Sequence, residues 1–168
     1  EFIKGLRVTG KETIEVVERV LIEFNQEIVG ALKKQSCQSE TISSKDNSII
    51  SVVKENDELG FVGSPTKINK TIIDKIVNDK KVPVIAPLGL DEHNQTYNIN
   101  ADTAAGSIAK KIEARRLIIM SDVEGVLDNN QKLISEINSS SIKELIENET
   151  ITGGMIPKIN NCLDVASN

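Results

Sequence analysis

Val82-Pro83-Val84-Ile85-Ala86-Pro87 is an almost unbroken apolar run, and a run without polar alternation belongs in a strand covered on both faces. Strands of that kind sit in parallel sheets flanked by helices, so this stretch predicts an α/β fold. Leu117-Ile118-Ile119-Met120 has the same character and predicts a second buried strand, ending in Ser121-Asp122. Upstream, Thr9-Gly10-Lys11-Glu12 has the form of a capping box. Ile14, Val17, Leu21, Phe24 and Ile28 follow at steps of three and four, predicting an amphipathic helix over about 11–35. Ser39 to Ser44 is short and ambiguous. Ser48 to Val53 and Leu59 to Val62 flank a charged turn and predict a β-hairpin. Asn69 caps a helix carrying Ile72, Ile73, Ile76 and Val77, and Thr96-Tyr97-Asn98-Ile99 reads as a strand after a turn at 91–95. Asn100 then starts a helix over Ala101 to Glu113. A turn at 128–130, a short helix near 140–147 and a final helix opened by Thr152-Gly153-Gly154 complete the chain. Strands alternating with helices argue for a three-layer α/β/α sandwich with a mostly parallel central sheet, in which ligands gather at the carboxyl ends of strands.

Composition narrows the functions. The 168 residues carry 24 isoleucines but only three Phe, one Tyr and no Trp, so the core is aliphatic. A net charge of −5, without a dense basic patch, argues against nucleic acid as a partner. No apolar run reaches the ~18 residues of a membrane helix, and no leader stands at the N-terminus, so a cytoplasmic location is expected. Cys37 and Cys162 have no metal-type spacing. The single His93 lies in a polar turn, Asp91-Glu92-His93-Asn94, which leaves histidine-based nucleophilic catalysis without material. Neither G-x-G-x-x-G nor G-x-x-x-x-G-K-[ST] occurs among the ten glycines, which disfavours a dinucleotide fold or P-loop.

Four segments remain as candidates. In Tyr97-Asn98-Ile99-Asn100-Ala101-Asp102, strand alternation puts Asn98 and Asn100 on one side and Asp102 in the first helical turn. Asn100 and Asp102 serve equally well as a helix cap and a dipole partner, or as amide donors to an anion with a carboxylate that holds ammonium groups. Ser121-Asp122-Val123-Glu124-Gly125-Val126 follows the second apolar run, where Asp122 suits a ribose hydroxyl or simply a turn. Thr150-Ile151-Thr152-Gly153-Gly154 leads into a helix bearing Lys158. Paired glycines and free helix-start N–H groups suit phosphate, and the plainer reading is a loop stop. Arg7, one of four arginines, has the fork geometry that binds a carboxylate, or is a surface charge.

Taken together, Gly5-Leu6-Arg7-Val8-Thr9, Leu59-Gly60-Phe61-Val62-Gly63, Val84 to Gly89, Tyr97 to Asp102, Ser121 to Leu127 and Ile151 to Lys158 resemble the N-acetylglutamate kinases of the amino acid kinase superfamily. The resemblance implies ATP-dependent phosphorylation of the side-chain carboxylate of N-acetyl-L-glutamate, in arginine biosynthesis. It implies that Arg7, Asn98 and Asn100 bind the acetylglutamate, that Lys158 stabilises the transferring phosphoryl group and that Asp102 orients the catalytic lysines. Ser121, Asp122, Val123, Glu124, Gly125, Val126 and Leu127, with Thr150, Ile151, Thr152, Gly153 and Gly154, would line the nucleotide site. ATP would enter with Mg2+, to which no protein ligand is assigned. A carboxylate nucleophile is already ionised near neutral pH, so positioning and charge neutralisation suffice without a catalytic histidine. The family also implies a homo-oligomer. Residues 1–168 would be the central portion of one kinase domain, lacking an N-terminal strand with its lysine and Gly-Gly loop and the C-terminal strands, and inactive alone. Ser36-Cys37 and Thr41-Ile42-Ser43-Ser44-Lys45-Asp46-Asn47 stand where the family carries glycines, which motivates the alternative of a module that binds ligand without turnover.

Overall fold

The computed structural model describes residues 2–3, 6–43, 48–128, 130–153 and 155–166. Its elements run β1 (Phe2–Ile3), β2 (Leu6–Arg7), α1 (Lys11–Lys34), β3 (Ser39–Ile42), β4 (Ile50–Lys54), β5 (Gly63–Ile68) and α2 (Lys70–Asn78). These are followed by β6 (Val82–Ile85), β7 (Leu88–Leu90), β8 (Thr96–Asn98), α3 (Ala101–Ile112), α4 (Ser139–Glu147) and α5 (Met155–Ala166). The α/β class stands, and the sheet is mixed. β3 pairs with β6 and β4 with β7 in parallel, whereas β1–β2, β4–β5 and β7–β8 are antiparallel. β5-β4-β7-β8 form one four-stranded sheet and β3-β6 a separate pair. The antiparallel ladders arise because short connections at 55–62 and 91–95 fold adjacent segments back on themselves.

α1 forms where its periodicity predicts, but Thr9 does not cap it. Gly10 occupies the cap with no side-chain bond, and Thr9, fully buried, donates its hydroxyl to the Arg7 carbonyl 3.1 Å away. A bridge to Gly60 holds Thr9 instead, through Thr9 N to Leu59 O and Phe61 N to Thr9 O, and that pairing outcompetes a cap. Ile14 is buried as the helical stripe requires, but farther along the inward positions shift by one residue, to Asn25 and Val29, leaving Phe24 56% exposed and Ile28 half-buried. The helix closes with Cys37 N reaching Leu32 O and Ser36 N reaching Lys33 O around Ser36 at φ 59°, a Schellman ending whose left-handed residue is a serine rather than glycine.

The hairpin's second arm is β5, one step beyond the predicted Leu59 to Val62. Those residues instead form the return loop, with Gly60 at φ 69° and Val62 bridging Asn98. A Cβ on Gly60 would stand 2.4 Å from the Thr9 carbonyl oxygen, so only glycine lets the two segments meet. The Val82 run does become a parallel strand, β6, but it is not covered on both faces: Val82 is exposed and Pro83, Val84 and Ile85 are only half-buried. Leu117 to Met120 forms no strand, with Ile118 82% and Met120 90% exposed. Apolarity alone secures neither burial nor pairing here, and none of the described strands supplies a ladder beside this run.

The core is aliphatic, as composition implies. Ile42, Ile49, Ile50, Val52, Ile68, Ile73, Ile76 and Ile99 pack together with Tyr97 and Ala104, and the Tyr97 ring lies 5.7 Å from that of Phe61. α1 lies against β3, β6 and β8, α2 against β6, and α3 against both β5 and α5. Among the described residues, no helix is long and apolar enough to cross a membrane.

Candidate active site

The site begins where β8 hands over to α3. Asn98 is tied by its backbone, donating N–H to Phe61 O and pairing with Leu88, so its position is set by two neighbouring segments. The return loop 59–62 lies between β8 and the Arg7–Thr9 segment, through the bridges Thr9–Gly60 and Val62–Asn98. Backbone pairing therefore arrays three of the quoted motifs side by side. Arg7 itself is exposed, on β2 opposite Phe2.

Asn100 caps α3, accepting at Oδ1 from Thr103 N at 3.1 Å and Thr103 Oγ1 at 3.3 Å. Its cap role is thus realised through Oδ1. Two residues on, Asp102 Oδ2 accepts from Lys158 Nζ at 2.8 Å. The two side chains retain only 18% and 28% of their exposure, so the pair is shielded without being sealed. It joins the first turn of α3 to the first turn of α5. Asn161 reinforces that joint by donating Nδ2 to Thr103 Oγ1 at 3.3 Å, and Lys110 pairs with Asp164 farther along the same helices. Cys162, one turn after Lys158, also belongs here: burial pushes its thiol above the ordinary value, the Asp102 carboxylate adds to that, and Lys158 opposes it. Asn161 escaped the sequence reading, and Cys162 was read only as a thiol without metal-type spacing. The signal that could have found them is their three- and four-residue spacing from Lys158, which puts all three on one helical face.

The expected nucleotide segments are held mainly by local contacts. Ser121, Asp122, Val123 and Glu124 are exposed, and Ser121 Oγ approaches Asp122 Oδ1 at 3.4 Å. Val126 and Ile151 are buried; Val126 O accepts from Ile134 N, and Leu127 bridges Leu133 to close a turn in which Asp128 accepts two backbone N–H groups. Ile151 N donates to Leu145 O, Thr150 N to Asn148 Oδ1, and Thr152 O receives Met155 N. Gly153, at φ 53°, has nothing within 4 Å of where a Cβ would stand. A polyphosphate can therefore approach the backbone closely just before α5. Gly154, like Gly5 and Ser44-Lys45-Asp46-Asn47, lies outside the described residues. His93 is exposed in its turn, its N–H donating to Asp91 Oδ1. The two cysteines are free thiols.

The whole chain, residues 1–168, matches the family model described as amino acid kinase family. It is 66% identical over 167 residues to acetylglutamate kinase of Pelagibacter ubique (strain HTCC1062), covering 99% of this chain and 58% of that protein. Against acetylglutamate kinase of Campylobacter fetus subsp. fetus (strain 82-40) it is 48% identical over 166 residues, covering 98% of this chain and 59% of that protein. The chain thus spans less than two thirds of the length of these curated relatives. Among solved structures, smu.665 from Streptococcus mutans UA159 superposes with a TM-score of 0.93 at 31% identity, over 99% of this chain and 69% of that one. N-acetylglutamate synthase from Neisseria gonorrhoeae, complexed with coenzyme A and N-acetyl-glutamate, shares the fold with a TM-score of 0.83 at 17% identity, over 99% of this chain and 39% of that one.

Proposed function

The chain belongs to the amino acid kinase family, and from that premise we propose that its protein phosphorylates the side-chain carboxylate of N-acetyl-L-glutamate with ATP, giving N-acetyl-L-glutamyl 5-phosphate in arginine biosynthesis. The observation that carries the reading is the Asp102–Lys158 ion pair, which holds an ammonium group at the start of two helices. The two curated relatives described above support the choice of substrate.

In this reading the Arg7 fork and the Asn98 and Asn100 amides hold the acetylglutamate, fixing its reactive carboxylate without protonating it. Lys158 neutralises charge on the phosphoryl group as a carboxylate oxygen bonds to the γ-phosphorus. The bond from that phosphorus to the bridging oxygen breaks, and the electron pair leaves with ADP. No proton is transferred, so no general base is needed. Asp102 acts as a positioning residue, keeping Lys158 from turning into solvent. The exposed 121–124 loop and the open backbone at Gly153 suit the nucleotide. Magnesium would accompany ATP and supply charge neutralisation, with no protein ligand assigned.

The reading includes a cytoplasmic, self-associating protein. Val16, Val20 and Phe24 support the latter: they are about half exposed and lie four residues apart, hence on one face of α1. The test of activity is ADP release by the full-length protein with N-acetyl-L-glutamate as acceptor. Release that depends on this acceptor supports the proposal, and equal release with aspartate sinks it. Sedimentation of the same protein tests self-association, and a monomer at all concentrations refutes it.

A further inference from the structure

A buried amide on α1 points to a small-ligand position that the proposed activity does not use. Asn25 is 95% buried, in the place where the helical stripe anticipates Phe24. Its Nδ2 donates to the Val84 carbonyl in β6 at 3.0 Å. That bond sets the orientation of the amide, because the flipped form would press two carbonyl oxygens together. Oδ1 therefore points away from Val84, and among the described residues it has no hydrogen-bond partner. Asn25 lines a cavity of about 50 Å3 at the carboxyl ends of the parallel strands β3 and β6. Ile22, Ile42 and Ala86 form its apolar wall, and Gln26, Thr41 and Ser43 its polar one.

We propose that this cavity binds a small neutral hydrogen-bond donor that donates to Asn25 Oδ1. A buried carbonyl is costly to leave unpaired, and the cavity exceeds the ~10–15 Å3 that one water requires. Among the described residues no charged side chain lines it, so they offer an ammonium or metal cation no counter-charge. The donor is an O–H or N–H of a neutral group. Two sources share that chemistry: an ordered water, and the acetamido N–H of the acyl substrate. Ala86 also borders the cleft lined by Pro87 and Ala101, beside the start of α3, and that nearness is the reason to test the second source. The substrate source rests on the proposed function, whereas the water source does not.

The test is a pair of crystal structures of the full-length protein, ligand-free and with N-acetyl-L-glutamate, at a resolution that orders water. The expected result is density at about 2.7–3.2 Å from Asn25 Oδ1. Density in both crystals assigns it to water, and density only in the second, continuous with the acetamido group, assigns it to substrate. No density in either overturns the inference. Whether acetylglutamate binds anywhere in the second crystal is read separately, so failure of the substrate assignment leaves the ligand-free crystal decisive. Asn25→Leu, similar in shape but without polar atoms, loses the density, and a peak that persists in it also overturns the inference. Should that variant fail to fold, the two wild-type crystals decide alone.

Discussion

Replacing Asp102 with asparagine keeps the shape of the side chain and removes its charge from Lys158. At the observed 2.8 Å, two unit charges attract by ~1.5 kcal/mol in water and ~6 kcal/mol at an effective dielectric constant near 20. With the side chains 18% and 28% exposed, a value of about 3 kcal/mol lies between these limits and agrees with the upper range for charged hydrogen bonds. If that attraction holds Lys158 against the transferring phosphoryl group, its loss raises the barrier by a similar amount, which is ~100-fold in kcat. KM for acetylglutamate should change little, because Arg7 and the two asparagines hold that substrate. Steady-state ADP release by the full-length Asp102→Asn variant measures both constants, and a thermal melt checks that it folds. A folded variant whose kcat stays within about twofold of wild type refutes the positioning role, because the missing attraction would then contribute under ~0.5 kcal/mol. A loss confined to KM refutes it too.

Thiol chemistry offers a second view of the same pair. Burial and then Asp102 raise the Cys162 thiol above its ordinary value of 9.0, so Asp102→Asn should lower it and speed its alkylation near pH 8, as peptide mapping against Cys37 would show; an unchanged rate counts against the contact. Because the folded state favours the neutral thiol, stability should decline as pH rises past 9.0, and a denaturant series that stays flat there would contradict this. Gly60→Ala meets the Thr9 carbonyl at 2.4 Å in a left-handed backbone and should cost ~2 kcal/mol or more, whereas Gly30→Ala, within α1 and with nothing within 4 Å, should stabilise by ~0.5–1 kcal/mol in urea melts. Ser36→Gly relieves the left-handed serine closing α1 and should add about 1 kcal/mol, with a loss refuting the Schellman reading.

Much of this fold was legible because its helices announce themselves locally. Asn100 caps α3 as its polarity predicts, Asn69 stands at the start of α2 without a side-chain cap bond, and the periodicity of 11–35 recovers α1 nearly to the residue. The strands were less legible wherever pairing, not hydropathy, decides. Thr9 looked like a cap and is a bridge residue, because Gly60 permits an approach that nothing in Thr9-Gly10-Lys11-Glu12 reveals. Leu117 to Met120 has the apolarity of a strand without a described partner to make it one.

The site divides in the same way. Asn98, Asn100 and Asp102 were readable together because they lie within five residues. The contact of Asp102 with Lys158 spans 56 positions and depends on α3 packing against α5. It was anticipated through the resemblance to a known family rather than through spacing. Asn161 and the buried Asn25 went unread, and Cys162 was read only as an isolated thiol, since a polar residue on a helix carries no sign of which partner will bury it.

The proposed chemistry makes one product that a non-catalytic binding module cannot, an acyl phosphate. Hydroxylamine added to the full-length protein with ATP and N-acetyl-L-glutamate should trap it as a hydroxamate in amounts equal to the ADP released. ADP without hydroxamate, or tight acetylglutamate binding without either product, would contradict the account.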